Sequence, residues 1–280
     1  MLVVRRVGII YNPLSEAAEQ LSHDLMDYLQ SLGVVVWRET SQESPGEMEQ
    51  EPMDGADLLI ALGGDGTMLR AARFAIPSNI PVLTVALGRL NFMAELTPDD
   101  LYSGLQTLLN GGGWKDRRTL LHATLQRCMK SQAVFTALNE VVVSRGDISH
   151  ILEVDVQIDD TPLTTYRADG VLVSTATGST AYALSAGGPI VDPRSRALVL
   201  VPVAAHLTAV PAMVLHEDSV VALAVRSCRH ATLAVDGREN LLLREGDRVR
   251  ICRSNKVCTF ARVHPHSQFF ASLVRRLRRE

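Results

Sequence analysis

The chain has 280 residues, 46% of them hydrophobic, and sets 28 Lys and Arg against 31 Asp and Glu for a formal net charge of −3. That is enough apolar sequence for a substantial core, and the near-balanced charge excludes a general polyanion-binding protein. No stretch approaches the roughly 18 consecutive apolar residues of a membrane span. The cysteines, Cys128, Cys228, Cys252 and Cys258, form no Cys-x-x-Cys pair, so reduced thiols in a cytoplasm are expected.

The opening segment is interrupted by Arg5 and Arg6 and ends in Asn12-Pro13, so Val7 to Tyr11 reads as a first strand and not as part of a signal peptide. Ser15 to Leu32 is a predicted helix with Ala18, Leu21, Leu25, Tyr28, Leu29 and Leu32 on one face, closed by Gly33. Val34 to Trp37 is a second strand, and Thr40 to Asp54, rich in Glu, Ser, Gln and Pro, is a polar loop. A short continuous apolar run, Asp57 to Leu62, reads as a buried parallel strand, followed by a helix capped by Thr67. A strand at Pro81 to Leu87 and a helix with Thr97 as N-cap and Pro98 at its first position, ending at Asn110-Gly111, complete an alternating α/β pattern. Such alternation predicts a parallel sheet with helices on both faces.

After Gly111-Gly112-Gly113 the character changes. Leu152, Val154, Val156 and Ile158 alternate with Glu153, Asp155, Gln157 and Asp159, the pattern of a half-exposed antiparallel strand. Similar runs at Ala197 to Val203, Val220 to Val225, Thr232 to Val235 and Arg248 to Cys252, separated by turns such as Asp159-Asp160 and Asp236-Gly237, predict a mainly antiparallel, β-sandwich-like domain. The amphipathic piece Gln268 to Arg279 is expected to return to the first domain. The boundaries drawn are 1–113, 114–262 and 263–280, with the active site in the cleft between the two domains.

Two loops carry the chemistry. Gly63-Gly64-Asp65-Gly66-Thr67 joins a buried strand to a helix, a place where free N–H groups and the helix dipole favour phosphate. An acidic residue there repels phosphate, which makes sense if Asp65 takes a proton from an attacking hydroxyl or helps hold Mg²⁺. Farther on, Gly170 to Ser174 reads as a strand ending in Thr175-Ala176-Thr177-Gly178-Ser179-Thr180, whose hydroxyls suit capping, backbone contacts, or ribose and phosphate oxygens. Ala181 to Ala186 reads as a short helix stopped by Gly187-Gly188-Pro189. Together the loops predict a kinase acting on a hydroxyl. The histidines at 206, 216, 230, 264 and 266 show no metal-ligand spacing, Trp37 and Trp114 read as packing residues, and the basic run Arg275 to Arg279 reads as a solvated helix face and not a nucleic-acid site.

The chain resembles the NAD kinases, which phosphorylate the adenosine ribose 2′-hydroxyl of NAD to give NADP. The resemblance rests on Gly63 to Thr67, Leu87-Gly88-Arg89-Leu90-Asn91-Phe92, Leu138-Asn139-Glu140-Val141-Val142, Tyr166-Arg167-Ala168-Asp169-Gly170, Ser174 through Val191, and Val235-Asp236-Gly237. It implies that Asp65 is the proton acceptor and that Gly66 lies against the dinucleotide. Gly63, Gly64, Gly66 and Thr67 would form the loop for the phosphoryl donor, which is ATP, another nucleotide or polyphosphate, with a divalent cation, Mg²⁺. Asn139 and Glu140 would hydrogen-bond the nicotinamide-side ribose or the adenine-side groups. Arg70, Phe92, His150, Arg167, Asp169 and Ala204 match positions lining the dinucleotide site. Thr180, Ala181, Tyr182, Ala183, Leu184 and Ser185 would wrap adenine and ribose, with Tyr182 stacking. Asp169 would reach the site of a neighbouring subunit, which implies a homodimer or homotetramer.

The chain departs from the family pattern at Asn91, where glycine is usual, and at Ala204-Ala205-His206, where Cys-Pro-His is frequent; neither touches the proposed base. It has no Gly-x-x-x-x-Gly-Lys-[Ser/Thr] loop and its lysines are Lys115, Lys130 and Lys256, so donor charge would be met by metal, arginine and backbone N–H groups. Two alternatives stay in view. A non-catalytic dinucleotide sensor would keep the binding residues, though retention of Asp65 argues against it. A lipid or sugar kinase would share the Gly-Gly-Asp-Gly-Thr loop, though Thr177 to Ser185 argues against that.

Overall fold

The computed structural model describes residues 4–41, 55–88, 92–128, 130–146, 150–206, 210–227 and 230–277. The polar loop from residue 42 to Asp54, Arg89 to Asn91, Asp147-Ile148-Ser149, Cys228 and Arg278 to Glu280 lie outside the described residues. The chain divides into two compact units, Met1–Arg117 with Cys258–Glu280, and Arg118–Val257.

The first unit is the α/β half. Strands β1 (Arg6–Tyr11), β2 (Val35–Thr40), β3 (Leu58–Gly63) and β4 (Val82–Ala86) pair in parallel in the order β2-β1-β3-β4. Helix α1 (Glu16–Ser31) is capped by Ser15, whose hydroxyl accepts from the Ala18 N–H. Its Ala18, Leu25 and Leu29 share a core with Val7, Ile9 and Tyr11 of β1 and with Leu101, Leu105 and Leu108 of α3 (Leu101–Leu109). Helix α2 (Asp65–Ser78) packs on β3 and β4 and contributes nothing to that core.

Two helix starts differ from expectation. Helix α2 begins at Asp65 with Gly64 as N-cap, two residues before the expected Thr67, because the glycine turn itself leads into the first helical turn. Helix α3 begins at Leu101 and not near Pro98. The Thr97 N–H and hydroxyl both donate to the Asp100 carboxylate, closing a local turn that ends before the helix starts.

The second unit is antiparallel. Strands β5 (Trp114–Arg127) and β6 (Lys130–Ala137) form a hairpin, and β8 (Leu152–Ile158) pairs with β9 (Thr161–Ala168) and β13 (Val221–Ser227), which pairs with β16 (Arg248–Arg262). The other sheet runs β12 (Met213–Leu215), β11 (Leu198–Val203), β10 (Gly170–Ser174), β7 (Glu140–Arg145), β14 (Ala231–Val235), β15 (Arg238–Leu243). One core draws Leu152, Val154, Val156, Leu223 and Ile251 from the first sheet and Val141, Val143, Val171, Val173 and Leu233 from the second, which is the sandwich the alternation predicts.

Strand β10 is buried along its whole length because its sheet is covered twice. Val171 and Val173 face the sandwich core, and Leu172 joins Val142, Val199, Val201 and Ala183 of helix α4 (Tyr182–Ser185) on the other side. Strand β16 is longer than the Arg248 to Cys252 run expected. It continues to Arg262, and Phe260 pairs in parallel with Val82 in the first unit's sheet. Helix α5 (Gln268–Leu277) follows in the segment that belongs to the first unit. Among the described residues no helix is long and apolar enough to cross a membrane.

Candidate functional site

The first group of site residues sits at the carboxyl end of β3. The strand order reverses between β1 and β3, and open α/β sheets bind ligands at the carboxyl ends of strands beside such a reversal. Gly63 turns with φ +155°, and a Cβ there would meet the Thr67 Oγ1 at 2.6 Å, so this position needs glycine on both counts. Gly64 and Gly66 are different. Neither has a positive φ, both are exposed, and a Cβ on either would meet nothing within 4 Å. The protein's own packing does not call for glycine there, and the backbone lies open to a ligand.

Asp65, half-buried, occupies the first turn of α2, where the helix dipole favours its anion. Thr67 is buried against Gly63 and Arg70 is buried. The Arg70 guanidinium donates to the Ser41 carbonyl and lies 5.6 Å from the Phe74 ring centre, and burial pulls its pKa below the usual arginine value. Phe92 is half-buried in the same unit.

The second group is built around Asn139 and Glu140 at the start of β7. Asp236, in the two-residue turn between β14 and β15, accepts from three successive N–H groups: Leu138 at 2.9 Å, Asn139 at 2.7 Å and Glu140 at 3.2 Å. The turn residues Asp236 and Gly237 both have positive φ, 49° and 71°, the conformation a tight hairpin of this twist requires. Facing this loop, the Thr175 hydroxyl donates to the Leu138 carbonyl at 2.6 Å, while the Thr175 N–H and the Ser174 hydroxyl donate to the Asn139 carbonyl at 2.9 and 3.1 Å. Ser179 donates to the Ala176 carbonyl and accepts from the Val191 N–H. Thr177 accepts from the buried Arg118 at 3.2 Å, and Thr180 donates back to the Thr177 carbonyl. The hydroxyl cluster is therefore largely engaged in shaping its own loop.

Gly178 shows how tightly that loop is packed. A Cβ there would lie 2.2 Å from the Asn139 carbonyl oxygen and 2.5 Å from the Ser174 hydroxyl. Gly178→Ala is expected to destabilise the protein by about 1–3 kcal/mol, the usual cost of overpacking. Thermal unfolding checks this; a wild-type melting temperature would reject the packing argument.

Glu140 is buried, with side-chain atom Oε2 lacking a hydrogen-bond partner among the described residues. Burial, then the negative charge of Asp236, push its pKa up to about 8 against a hydrogen bond from the Tyr182 N–H that pulls it down. Tyr182 itself is 42% exposed, a ring available for stacking, and Thr180, Ala181, Ala183, Leu184 and Ser185 follow the same 3₁₀ turn and short helix.

The other predicted binding residues are elsewhere in this unit. Gly170 pairs with Ser144 and Ser174 with Glu140, so Asp169 and Glu140 mark opposite ends of β10, roughly 16–17 Å apart along the strand. At the Asp169 end, Arg145 clasps the carboxylate through Nε–Oδ1 at 3.0 Å and Nη2–Oδ2 at 3.1 Å. Arg167 pairs with Glu153 across β8 and β9 at 3.3 Å, and its carbonyl accepts from the His206 N–H. Ala204, exposed, turns the chain after β11 with φ 46°. His150 is half-buried beyond the undescribed residues 147–149. One chain thus gathers Asn139, Glu140 and the Thr180 to Ser185 segment, and separates them from Arg167 and Asp169. The sequence reading gave Asp236 no role beyond a turn; an aspartate before glycine in a two-residue hairpin signals the turn but not what its carboxylate holds.

Among the described residues no three His, Cys, Asp or Glu side chains gather into a group able to hold a metal ion.

Known proteins resemble the chain along its whole length. The family model described as the ATP-NAD kinase N-terminal domain matches residues 7–113, and that for the ATP-NAD kinase C-terminal domain matches residues 138–263. The NAD kinase of Chloroflexus aurantiacus is 60% identical over 279 residues, covering 99% of this chain and 100% of that protein. The NAD kinase of Dehalococcoides mccartyi is 40% identical over 275 residues, 98% of this chain and 96% of that protein. Among solved structures, yeast NADH kinase complexed with NADH superposes with a TM-score of 0.83 at 24% identity, covering 97% of this chain and 87% of that one. An NAD kinase from Archaeoglobus fulgidus in complex with ATP gives 0.78 at 22% identity, covering 98% and 99%. These two likenesses establish a shared fold.

Proposed function

The chain belongs to the NAD kinase family and is a phosphotransferase, and from that premise we propose that it transfers the γ-phosphoryl group of ATP to the adenosine ribose 2′-hydroxyl of NAD. The 2′-oxygen forms its bond to phosphorus as the bond to the bridging oxygen of ADP breaks, and Asp65 takes the hydroxyl proton. Its place in the first turn of α2, between two glycines that leave the backbone open, is the observation that carries this assignment.

Gly63, Gly64, Gly66 and Thr67 form the donor loop, where N–H groups at a helix start meet phosphate charge without a lysine. A divalent cation, Mg²⁺, bound with the donor supplies the remaining neutralisation. Asn139, Glu140 and the Thr180 to Ser185 segment hold the dinucleotide, with Tyr182 stacked on a base. Arg70, Phe92, His150 and Ala204 also line the dinucleotide site. Arg167 lines the dinucleotide site, and Asp169, at the far end of β10 from Glu140, serves the site of a neighbouring subunit, so the enzyme works as a homodimer or homotetramer. The thiols of Cys128, Cys252 and Cys258, none of them in a disulfide among the described residues, suit a cytoplasmic enzyme.

The test is NADP formation from NAD, ATP and Mg²⁺, read through an NADP-specific dehydrogenase. Product that requires the metal supports the reading. NAD binding without product, with polyphosphate or NADH substituted as well, would reject it in favour of a dinucleotide sensor. Tyr182→Ala is expected to weaken NAD binding by about 1–2 kcal/mol, roughly 5–30-fold, with little change in donor use. An effect confined to the KM for ATP would reject the stacking role.

A further inference from the structure

Two buried carboxyl groups lie near enough in the second unit for the charge of one to act on the other, and their surroundings are unequal. Three backbone N–H groups converge on Asp236 at 2.7 to 3.2 Å, an arrangement that suits an anion. Glu140 receives the Tyr182 N–H alone, and its Oε2 is buried with no hydrogen-bond partner among the described residues. Across from Glu140 on β10 stands Ser174, which is neutral; α4 offers the Tyr182 N–H; and the turn after β14 offers Asp236. The charge that Asp236 sets against the buried Glu140 is therefore negative. Two like charges so placed do not both persist when one proton can relieve them.

We propose that Glu140 and Asp236 form a buried carboxyl pair holding one proton, that Glu140 carries it, and that the free enzyme presents Glu140 to the dinucleotide as a neutral acid able to donate a hydrogen bond. The last part rests on the kinase reading; the first two do not. An ionised glutamate accepts only, whereas the neutral acid donates from one oxygen and accepts at the other. With the Tyr182 N–H engaged at one oxygen, Oε2–H is left for a lone pair of the ligand, such as a ring nitrogen of the base or a ribose oxygen. Asp236 then has two tasks: it fixes the Leu138–Glu140 backbone and keeps the proton on its neighbour.

The burial and the charge that place the proton raise the Glu140 pKa to about 8. Below that value Glu140 is the donor; above it, the donor is lost, so NAD affinity falls as pH rises. The first experiment uses infrared spectroscopy of the free wild-type protein with isotopically labelled glutamate at neutral pH. A carboxylic-acid carbonyl band that vanishes in a step near pH 8 is expected, and its absence at neutral pH would overturn the proposal. That readout needs no ligand and no turnover, so it fails or succeeds separately from the kinase reading. The second experiment measures NAD binding by calorimetry across the same step. Affinity should fall about tenfold for each pH unit above it, and the fall should disappear in Glu140→Gln, which keeps an N–H donor at that place. An equal fall in both proteins would overturn the role toward the dinucleotide.

Discussion

Asp65→Asn is expected to lose phosphoryl transfer by about 10²–10⁴-fold or more while NAD affinity changes little. The asparagine amide has nearly the same size and can occupy the same first turn of α2, so the glycine loop and its open backbone are retained. What it lacks is a group that takes a proton. The 2′-hydroxyl is a poor nucleophile until that proton leaves, and no side chain in the Gly63 to Thr67 loop other than Asp65 is a base. Turnover measured by NADP formation, beside NAD affinity measured by calorimetry, separates the two effects. Activity within a few-fold of wild type would end the assignment, and a parallel loss of binding would make Asp65 a binding group.

The second large effect is expected far from that loop, at Arg262. Its guanidinium lies 3.1 Å from Glu95 and 3.2 Å from Asp116, with all three side chains less than a tenth exposed. It also donates to the Met93 carbonyl at 3.1 Å and stacks over Phe260 at 5.0 Å. Glu95 in turn accepts the Val263 and His264 N–H groups, each at 2.7 Å. Arg262→Met keeps much of the volume and removes the cation, leaving two carboxylates in a place closed to water. The expected loss is about 3–5 kcal/mol, the range for breaking a buried ion pair from one side. At roughly 2–4 °C per kcal/mol the melting temperature should fall by about 6–20 °C. A triple variant that also carries Glu95→Gln and Asp116→Asn should recover much of it. A drop of less than about 1 kcal/mol would show that the cluster is not held by its charge.

The sequence made the first unit legible because its signals are local. The cap at Ser15, the apolar stripe of α1 and the continuous run of β3 each decide their element without help from elsewhere. The second unit was legible only where one face is wet. Strand β8 alternates, since Glu153, Asp155 and Gln157 stay partly exposed, whereas β7 sits inside its sheet and gives a run with no period. Hairpins such as β5–β6 went unseen because nothing in their composition separates strand from loop. For the site, residue identity marked Asp65, Asn139 and Glu140, but not the protonation of Glu140. That depends on Asp236, nearly a hundred residues away, and on how many N–H groups each carboxyl receives. Such an imbalance belongs to three dimensions and leaves no mark in spacing.

Strand β16 has a consequence for how the polypeptide acquires its shape during synthesis. The α/β unit is written in two separate stretches, and the later stretch supplies the Phe260 partner of Val82 together with the cation that Glu95 and Asp116 surround. As the chain leaves the ribosome, the helices and first four strands can assemble early, yet they must wait for Phe260 and Arg262 until the whole antiparallel unit has emerged. Closure of the first-made unit is therefore among the last events of biogenesis, and a chain interrupted before Arg262 leaves behind an unfinished sheet edge of the kind that chaperones and proteases recognise.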